Sequence, residues 1–293
     1  MSVPLRLILV SGLSGAGKSV VLNALEDLGY RCVDNLPASM LESFVSHVFR
    51  EGASAQTVAI GIDARDTSEG LDGIPTTIEQ LRRSGVRCEL LVVTASDGEL
   101  LRRFGETKRR HPLSREGHNL QDAVTRERAL LDPVIQAADL VVDTTHMGVH
   151  ELRDAIVQRI DQRRGMELSV TLVSFGFKHG VPGDCDFVFD VRMLPNPYWT
   201  IPLRALTGRD QPVINYLNEQ PAVGAMLDEL QQFISRRIED HGAARRRYLT
   251  VGIGCTGGQH RSVYLVDRLA ERLRGKSPTL AVRHSSLVHA GAS

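Results

Sequence analysis

Apolar residues in this chain fall in short, nearly continuous runs separated by stretches with helical spacing. Leu5–Ser11, Tyr30–Val33, Thr57–Asp63, Val86–Thr94 and Asp139–Asp143 read as strands. Between them, Ile78/Leu81 and Leu120/Val124/Leu130/Leu131 recur at helical intervals. Strands that are apolar at almost every position are covered on both faces, and their alternation with helices predicts a parallel sheet. Leu152, Ile156 and Ile160 place a last helix over Val149–Arg163, and the charged run Asp161–Gly165 ends the first domain. The pattern then restarts. Leu168–Phe175, Phe187–Val191, Tyr248–Gly254 and Leu280–Arg283 predict strands, with helices over Ser262–Arg274 and along the stripe Val223/Met226/Leu227/Leu230/Phe233/Ile234/Ile238. The prediction is two α/β domains, residues 1–164 and 165–293.

Composition agrees with this division. A chain of 293 residues has room for two ordinary cores, and 42% hydrophobic with 24% charged residues is a globular balance. No run approaches the ~20 apolar residues of a membrane span. The apolar start runs straight into a Gly-rich turn, which reads as a buried strand rather than a signal peptide, so a cytoplasmic location is expected. None of Cys32, Cys88, Cys185 and Cys255 forms a C-x-x-C pair, which argues against a zinc site and a disulfide framework. The charges sum to zero but divide unevenly. Residues 1–164 hold 20 Lys+Arg against 23 Asp+Glu, and residues 165–293 hold 15 against 12. The basic second half is compatible with an anionic partner or with ordinary scatter.

Gly12, Leu13, Ser14, Gly15, Ala16, Gly17, Lys18 and Ser19 match G-x-x-x-x-G-K-[ST], with an apolar strand before and a helix after. Glycines let the backbone curl so that successive N–H groups point at phosphates, and the helix N-terminus adds its positive end. Lys18 then reaches the β- and γ-phosphates, and the Ser19 hydroxyl ligates Mg²⁺. The first domain is therefore expected to be a kinase-like P-loop NTPase sheet that binds a nucleoside triphosphate. Asp34, Asp63 and Asp143 end strands, where they either face ligands or cap the next helix. In Asp63, Ala64, Arg65 and Asp66 an acid able to accept from a guanine edge stands beside a guanidinium, as it also would in a salt-bridged turn. Arg102, Arg103, Lys108, Arg109 and Arg110 follow the fourth strand, either as a lid over the phosphoryl group or as a solvated face.

A second Gly-rich loop, Cys255, Thr256, Gly257, Gly258, Gln259, His260 and Arg261, again follows a strand and opens a helix. Its C-x5-R spacing is that of cysteine-dependent phosphatases, where a thiolate is the nucleophile. No general-acid loop is evident, with Asp184, Asp186 and Asp190 the candidates, so phosphate binding without hydrolysis is the reading. Lys178, His179 and Gly180 also follow an apolar strand and could add positive charge and backbone access, with His179 and His260 either facing a ligand or standing as packed or surface histidines. Arg192 and Trp199 belong to a segment able to shape the wall of such a site, where Trp199 either offers a sugar its apolar face or is a core or interface residue.

Taken with Glu26–Pro37, Arg109–Pro112, Asp139–Asp143, Ser174–Gly180, Phe187–Arg192, Leu194–Pro197 and Gly254–Ser262, these elements resemble the RapZ/YvcJ family over nearly the whole chain. The resemblance implies ATP at Gly12–Ser19 and GTP around Asp63–Asp66, with weak ATPase and GTPase activity. It also implies a second domain like part of a sugar-phosphate enzyme, one that senses an amino-sugar phosphate. In some members it further implies an adapter role for RNA or a regulatory protein, and a homo-oligomer is expected. The sequence departs from the family at Asp66, where Asn is common, and at Tyr198, where some members carry His. It also ends in Ser285–Ser293 without Lys or Arg, unlike the basic tail of RNA-binding members. Three alternatives compete with the sensor reading: a small-molecule kinase with an acceptor near Asp34, a C-x5-R phosphatase, and an RNA binder using Arg236, Arg237 and Arg245–Arg247.

Overall fold

The computed structural model describes residues 6–50, 57–62, 73–107, 110–114, 119–160, 168–243, 248–276 and 279–287. Asp63–Asp66, Lys108, Arg109, Asp161–Gly165 and Arg245–Arg247 lie outside the described residues. The chain forms two compact units, Met1–Asp161 and Gln162–Ser293.

In the first unit β1 (Arg6–Gly12), β2 (Arg31–Val33), β3 (Thr57–Gly61), β4 (Arg87–Thr94) and β5 (Leu140–Asp143) make one sheet in the order β2-β3-β1-β4-β5. Every pairing is parallel, as apolar strands joined through helices require. The helices are α1 (Lys18–Asp27), α2 (Leu41–Arg50), α3 (Ile74–Arg83), α4 (Asp97–Thr107), α5 (Leu120–Gln136) and α6 (Val149–Ile160). The pattern of the sequence did not single out α2. β1 is central, so the turn that follows it opens in the middle of the sheet's C-terminal edge, where open parallel sheets bind ligands. Gly12 closes β1 at φ 143°, and a Cβ there would stand 2.1 Å from the Val93 carbonyl oxygen of β4. Only glycine allows that approach.

The second unit has β6 (Ser169–Gly176), β7 (Phe187–Asp190), β8 (Tyr248–Cys255) and β9 (Thr279–His284), parallel throughout in the order β7-β8-β6-β9. Its helices are α7 (Gln211–Asn218), α8 (Pro221–Ala243) and α9 (Arg261–Leu273). Central β6 and β8 are buried at every position, whereas edge strand β7 alternates between half-buried and exposed. The α8 stripe Val223, Leu227, Leu230 and Ile234 and the α9 residues Leu265, Leu269 and Leu273 belong to the same core as Leu172, Leu249 and Ile253. Each such side chain contributes about 1.5–3 kcal/mol on burial. The turns after β6, β7 and β8 leave the sheet at one end and bring distant residues together there. Among the described residues, no helix is long and apolar enough to cross a membrane. None of the described His, Cys, Asp and Glu residues forms a group of three or more able to hold a metal ion.

Candidate functional site

The loop between β1 and α1 is tied back at several points. Its first N–H, on Leu13, donates to the Val93 carbonyl at 3.1 Å. The Ser14 N–H and hydroxyl donate to Glu127 of α5 at 2.9 and 2.6 Å. The Gly15 carbonyl accepts from Arg103 Nη1 at 3.2 Å, and the Ala16 carbonyl from the Thr144 hydroxyl at 2.8 Å. In a trans peptide the N–H points opposite to the C=O, so holding the Ala16 carbonyl outward turns the Gly17 N–H away from Thr144. Gly15 and Gly17 have φ of 84° and 115°, the left-handed values that let a short loop curl on itself. Lys18 Nζ donates to the Gly12 carbonyl at 2.6 Å, so its ammonium bridges the loop's two ends. Ser19, in the first turn of α1, is exposed. A cup with a lysine at its rim and a helix N-terminus at its base suits a polyphosphate.

The arginines after β4 separate into distinct roles. Arg103 is committed to the scaffold: besides Gly15 it donates to the Thr144 hydroxyl and carbonyl and, through Nε, to Glu99 at 2.7 Å. Arg102 pairs with Glu99 and Glu106 along the solvent face of α4. Hydrogen bonds from Arg102 and then Arg103 hold the Glu99 carboxyl down to about 2 against the opposing effect of burial. Arg110 is exposed. Of the strand-end carboxylates, Asp143 accepts from the Thr145 N–H at 2.9 Å and hydroxyl at 2.5 Å, so it ties down the turn after β5 and does not cap α6. Asp34 is exposed at the sheet's C-terminal edge. A Cβ on Gly61 of β3 would stand 2.6 Å from its Oδ1, and the next residue, Asn35, has φ 57°.

Glu127, His111 and Thr144 were not foreseen as parts of this site. Their contacts span 113, 16 and 128 residues of sequence, beyond any local motif. One signal was available: Glu127 falls on the apolar stripe of α5 that buries Ala123, Val124, Leu131 and Val134. A carboxylate in that row requires buried donors.

In the second unit, the loop after β8 curls around the Cys255 thiol. The Gly258 N–H donates to Sγ at 3.3 Å, and the Ser262 hydroxyl lies 3.2 Å from it. Gly258 has φ 70°, and a Cβ there would meet Ser286 Cβ at 2.5 Å and the Gly176 nitrogen at 2.6 Å. Arg261, 4% exposed, donates through Nη1 to the Arg192 and Leu194 carbonyls at 2.7 and 3.0 Å. Its Nη2 reaches the Thr256 hydroxyl only at 3.4 Å, and its buried Nε has no hydrogen-bond partner. The Nε–Nη2 edge, the fork that grips an oxyanion, is thus underused. The Lys178 N–H donates to the Thr256 carbonyl at 3.2 Å, and its Nζ stands 3.9 Å from where a Cβ on Gly257 would lie. Lys178, Cys255, Thr256, Gly257, Gly258 and Arg261 therefore converge at one end of the sheet.

His260 does not join them. Its imidazole is buried and donates to the Leu203 carbonyl at 3.1 Å, and burial pushes it below the ordinary histidine range. His179 and Gly180 are exposed at the end of the Phe177–His179 turn. Arg192 binds Asp190 through two nitrogens and covers the Phe177 ring at 4.3 Å. Trp199 is 76% exposed on a 3-10 turn and so is not part of the core. The three candidate general acids are all engaged: Asp184 by Arg283, Asp186 by the Thr250 N–H and Asp190 by Arg192. The loop is equipped to hold an anion, and none of these acids stands free to protonate a leaving group.

A family model described as the RapZ-like N-terminal domain matches residues 5–164, and one described as the RapZ C-terminal domain matches residues 168–288. A nucleotide-binding protein of Methylococcus capsulatus is 49% identical over 284 residues, 97% of this chain and 96% of that one. One of Thioalkalivibrio sulfidiphilus is 48% identical over 285 residues, 97% of this chain and 100% of that one. Among solved structures, a shikimate kinase from Bacteroides thetaiotaomicron aligns with a TM-score of 0.37 at 18% identity, over 54% of this chain and 97% of the kinase. Nothing about activity follows from a likeness at that level.

Proposed function

The chain belongs to the RapZ family of nucleotide-binding proteins, and on that premise we propose that it reads a nucleotide with one unit and a phosphorylated amino sugar with the other. The observation that carries the reading is a second Gly-rich loop, Cys255–Arg261, built like the first at a strand-to-helix turn and holding the underused Nε–Nη2 edge of Arg261. In the first unit Gly12–Ser19 takes ATP. Backbone N–H groups and Lys18 hold the phosphates, and the exposed Ser19 hydroxyl holds the Mg²⁺ that accompanies them. The ion neutralises phosphate charge when bound. Asp63–Asp66 is the segment for GTP, on the strength of the family resemblance. Hydrolysis of either nucleotide is slow, as the family resemblance implies, and Arg102 and Arg103 are held by Glu99, Glu106 and Thr144 rather than presented as lid arginines.

In the second unit the ligand's phosphate lies against the Thr256–Gly258 backbone, Lys178 and the Nε–Nη2 edge of Arg261. The sugar extends toward His179, Gly180 and the exposed Tyr198/Trp199 pair. The protein acts as a cytoplasmic homo-oligomeric sensor that passes this occupancy to a regulatory partner, a protein or an RNA. Calorimetric titration of the full chain tests the reading. Mg·ATP and glucosamine-6-phosphate each bind, Lys18→Ala removes the first alone, and Arg261→Ala removes the second alone. Phosphoryl transfer to an acceptor at ~1–100 s⁻¹ would instead make it a kinase. Turnover of a phosphate monoester lost in Cys255→Ser would make it a phosphatase.

A further inference from the structure

The structure assigns Glu127 and His111 as positioning residues of the nucleotide loop: a buried clamp that holds the loop in its phosphate-binding shape through Ser14. This rests on the nucleotide-binding reading of Gly12–Ser19. Three donors converge on the Glu127 carboxylate, which is fully buried. They are the Ser14 N–H at 2.9 Å, the Ser14 hydroxyl at 2.6 Å and His111 Nε2 at 3.1 Å. The tautomer of His111 follows from its other nitrogen. Leu113 N–H donates to Nδ1 at 3.1 Å, so Nδ1 accepts and the proton lies on Nε2, toward Glu127. The imidazole is itself buried and packs on the Phe104 ring at 5.0 Å. That ring stands 3.2 Å from where a Cβ on Gly15 would lie, so the same cluster supports the loop at its next residue.

A buried carboxylate is costly unless its oxygens are filled, and a hydrophobic residue would pack the α5 stripe at no such cost. Here the filling donors include both hydrogen-bond donors of one loop residue. A bidentate grip on Ser14 fixes that peptide's direction and keeps its N–H out of the cup. Gly15 and Gly17 can then turn the peptides that follow inward. Glu127 touches no phosphate in this arrangement. It acts through Ser14, and His111 acts through Glu127.

A double-mutant cycle in the full chain tests the clamp, with Mg·ATP affinity and unfolding free energy as separate readouts. Glu127→Gln replaces one acceptor oxygen with an NH₂ group that faces a donor. Losing one charge-assisted bond lowers Mg·ATP affinity about tenfold or more. Ser14→Ala lowers it by less alone and by nothing further in the Glu127→Gln background. His111→Gln, which keeps an N–H toward Glu127, holds affinity within about threefold, whereas His111→Leu does not. Unchanged affinity in Glu127→Gln, or additive Ser14 and Glu127 effects on affinity, overturns the proposal. If Glu127→Gln does not fold, the Ser14→Ala/His111→Leu cycle decides in the same way. A wild type that binds no Mg·ATP refutes the nucleotide reading instead. The Ser14–Glu127 coupling in unfolding free energy then decides the clamp, and additivity there sinks it.

Discussion

Arg261 holds its own unit together and is proposed to hold the anion, and the two roles separate by substitution. Arg261→Lys keeps the charge but replaces a planar fork with a point donor. The wild-type Nη1 serves two carbonyls, of Leu194, which is buried, and of Arg192, which is partly so, and an ammonium on a shorter stem satisfies at most one of them in place. An orphaned buried acceptor costs about 1–3 kcal/mol, so the second unit loses roughly that much stability. The anion loses the bidentate Nε–Nη2 edge, a further loss of about 1.5–3 kcal/mol in binding, or more than tenfold in affinity. Lys178→Ala supplies the control. Its side chain is exposed over Gly257, so affinity falls while stability holds within about 0.5 kcal/mol. The assay is calorimetric titration with glucosamine-6-phosphate beside urea unfolding of each variant. Stability loss in Arg261→Lys with unchanged affinity, together with unchanged affinity in Lys178→Ala, would refute the anion role and leave Arg261 a structural residue.

Further outcomes follow from the same geometry. Gly258→Ala forces a Cβ at φ 70° into Ser286 and the Gly176 nitrogen, and left-handed strain plus overpacking costs about 2–5 kcal/mol, read as a drop in urea midpoint. Cys255→Ser keeps an acceptor for the Gly258 N–H, so glucosamine-6-phosphate affinity stays within about threefold in a titration. His260 is held below its unfolded value by burial, so the unfolded chain takes up its proton first as pH falls. Its contribution is full above ~6.5 and is lost as pH falls through that value toward the folded one. His260→Gln should flatten that part of the urea-midpoint profile, and an unchanged slope would reject the assignment.

Much of the fold could be read from the chain because its information is local. The strand runs are apolar on both faces, the glycines of both loops stand at turns, and Lys18 and Arg261 open helices. Strand order was not local: that β1 lies between β3 and β4 depends on packing across the sheet. The site was legible in its backbone parts and less so in its side chains. Arg102 and Arg103 are adjacent in sequence, yet one lies along the solvent face of α4 and the other reaches the loop and Thr144. One residue step on a helix turns a side chain by about a quarter of the circle, and no composition argument distinguishes them. His260 sits in a loop that reads as ligand-facing, but its φ of −111° and ψ of −82° accompany a ring turned to Leu203. Glu127 was the reverse case, a residue whose helical phase marked it as buried and whose charge marked it as unusual.

The measurement that bears most directly on the two-loop account is a crystal structure of the full chain grown with Mg·ATP and glucosamine-6-phosphate together. The nucleotide phosphates are expected within hydrogen-bond reach of the Gly15–Ser19 backbone and Lys18, with the metal on the Ser19 hydroxyl. The sugar's phosphate is expected on Arg261 Nε and Nη2, Lys178 and the Thr256–Gly258 backbone, with His260 still on the Leu203 carbonyl. Nucleotide bound away from Gly12–Ser19, or a sugar phosphate bound elsewhere while the Cys255–Arg261 loop holds none, would contradict it.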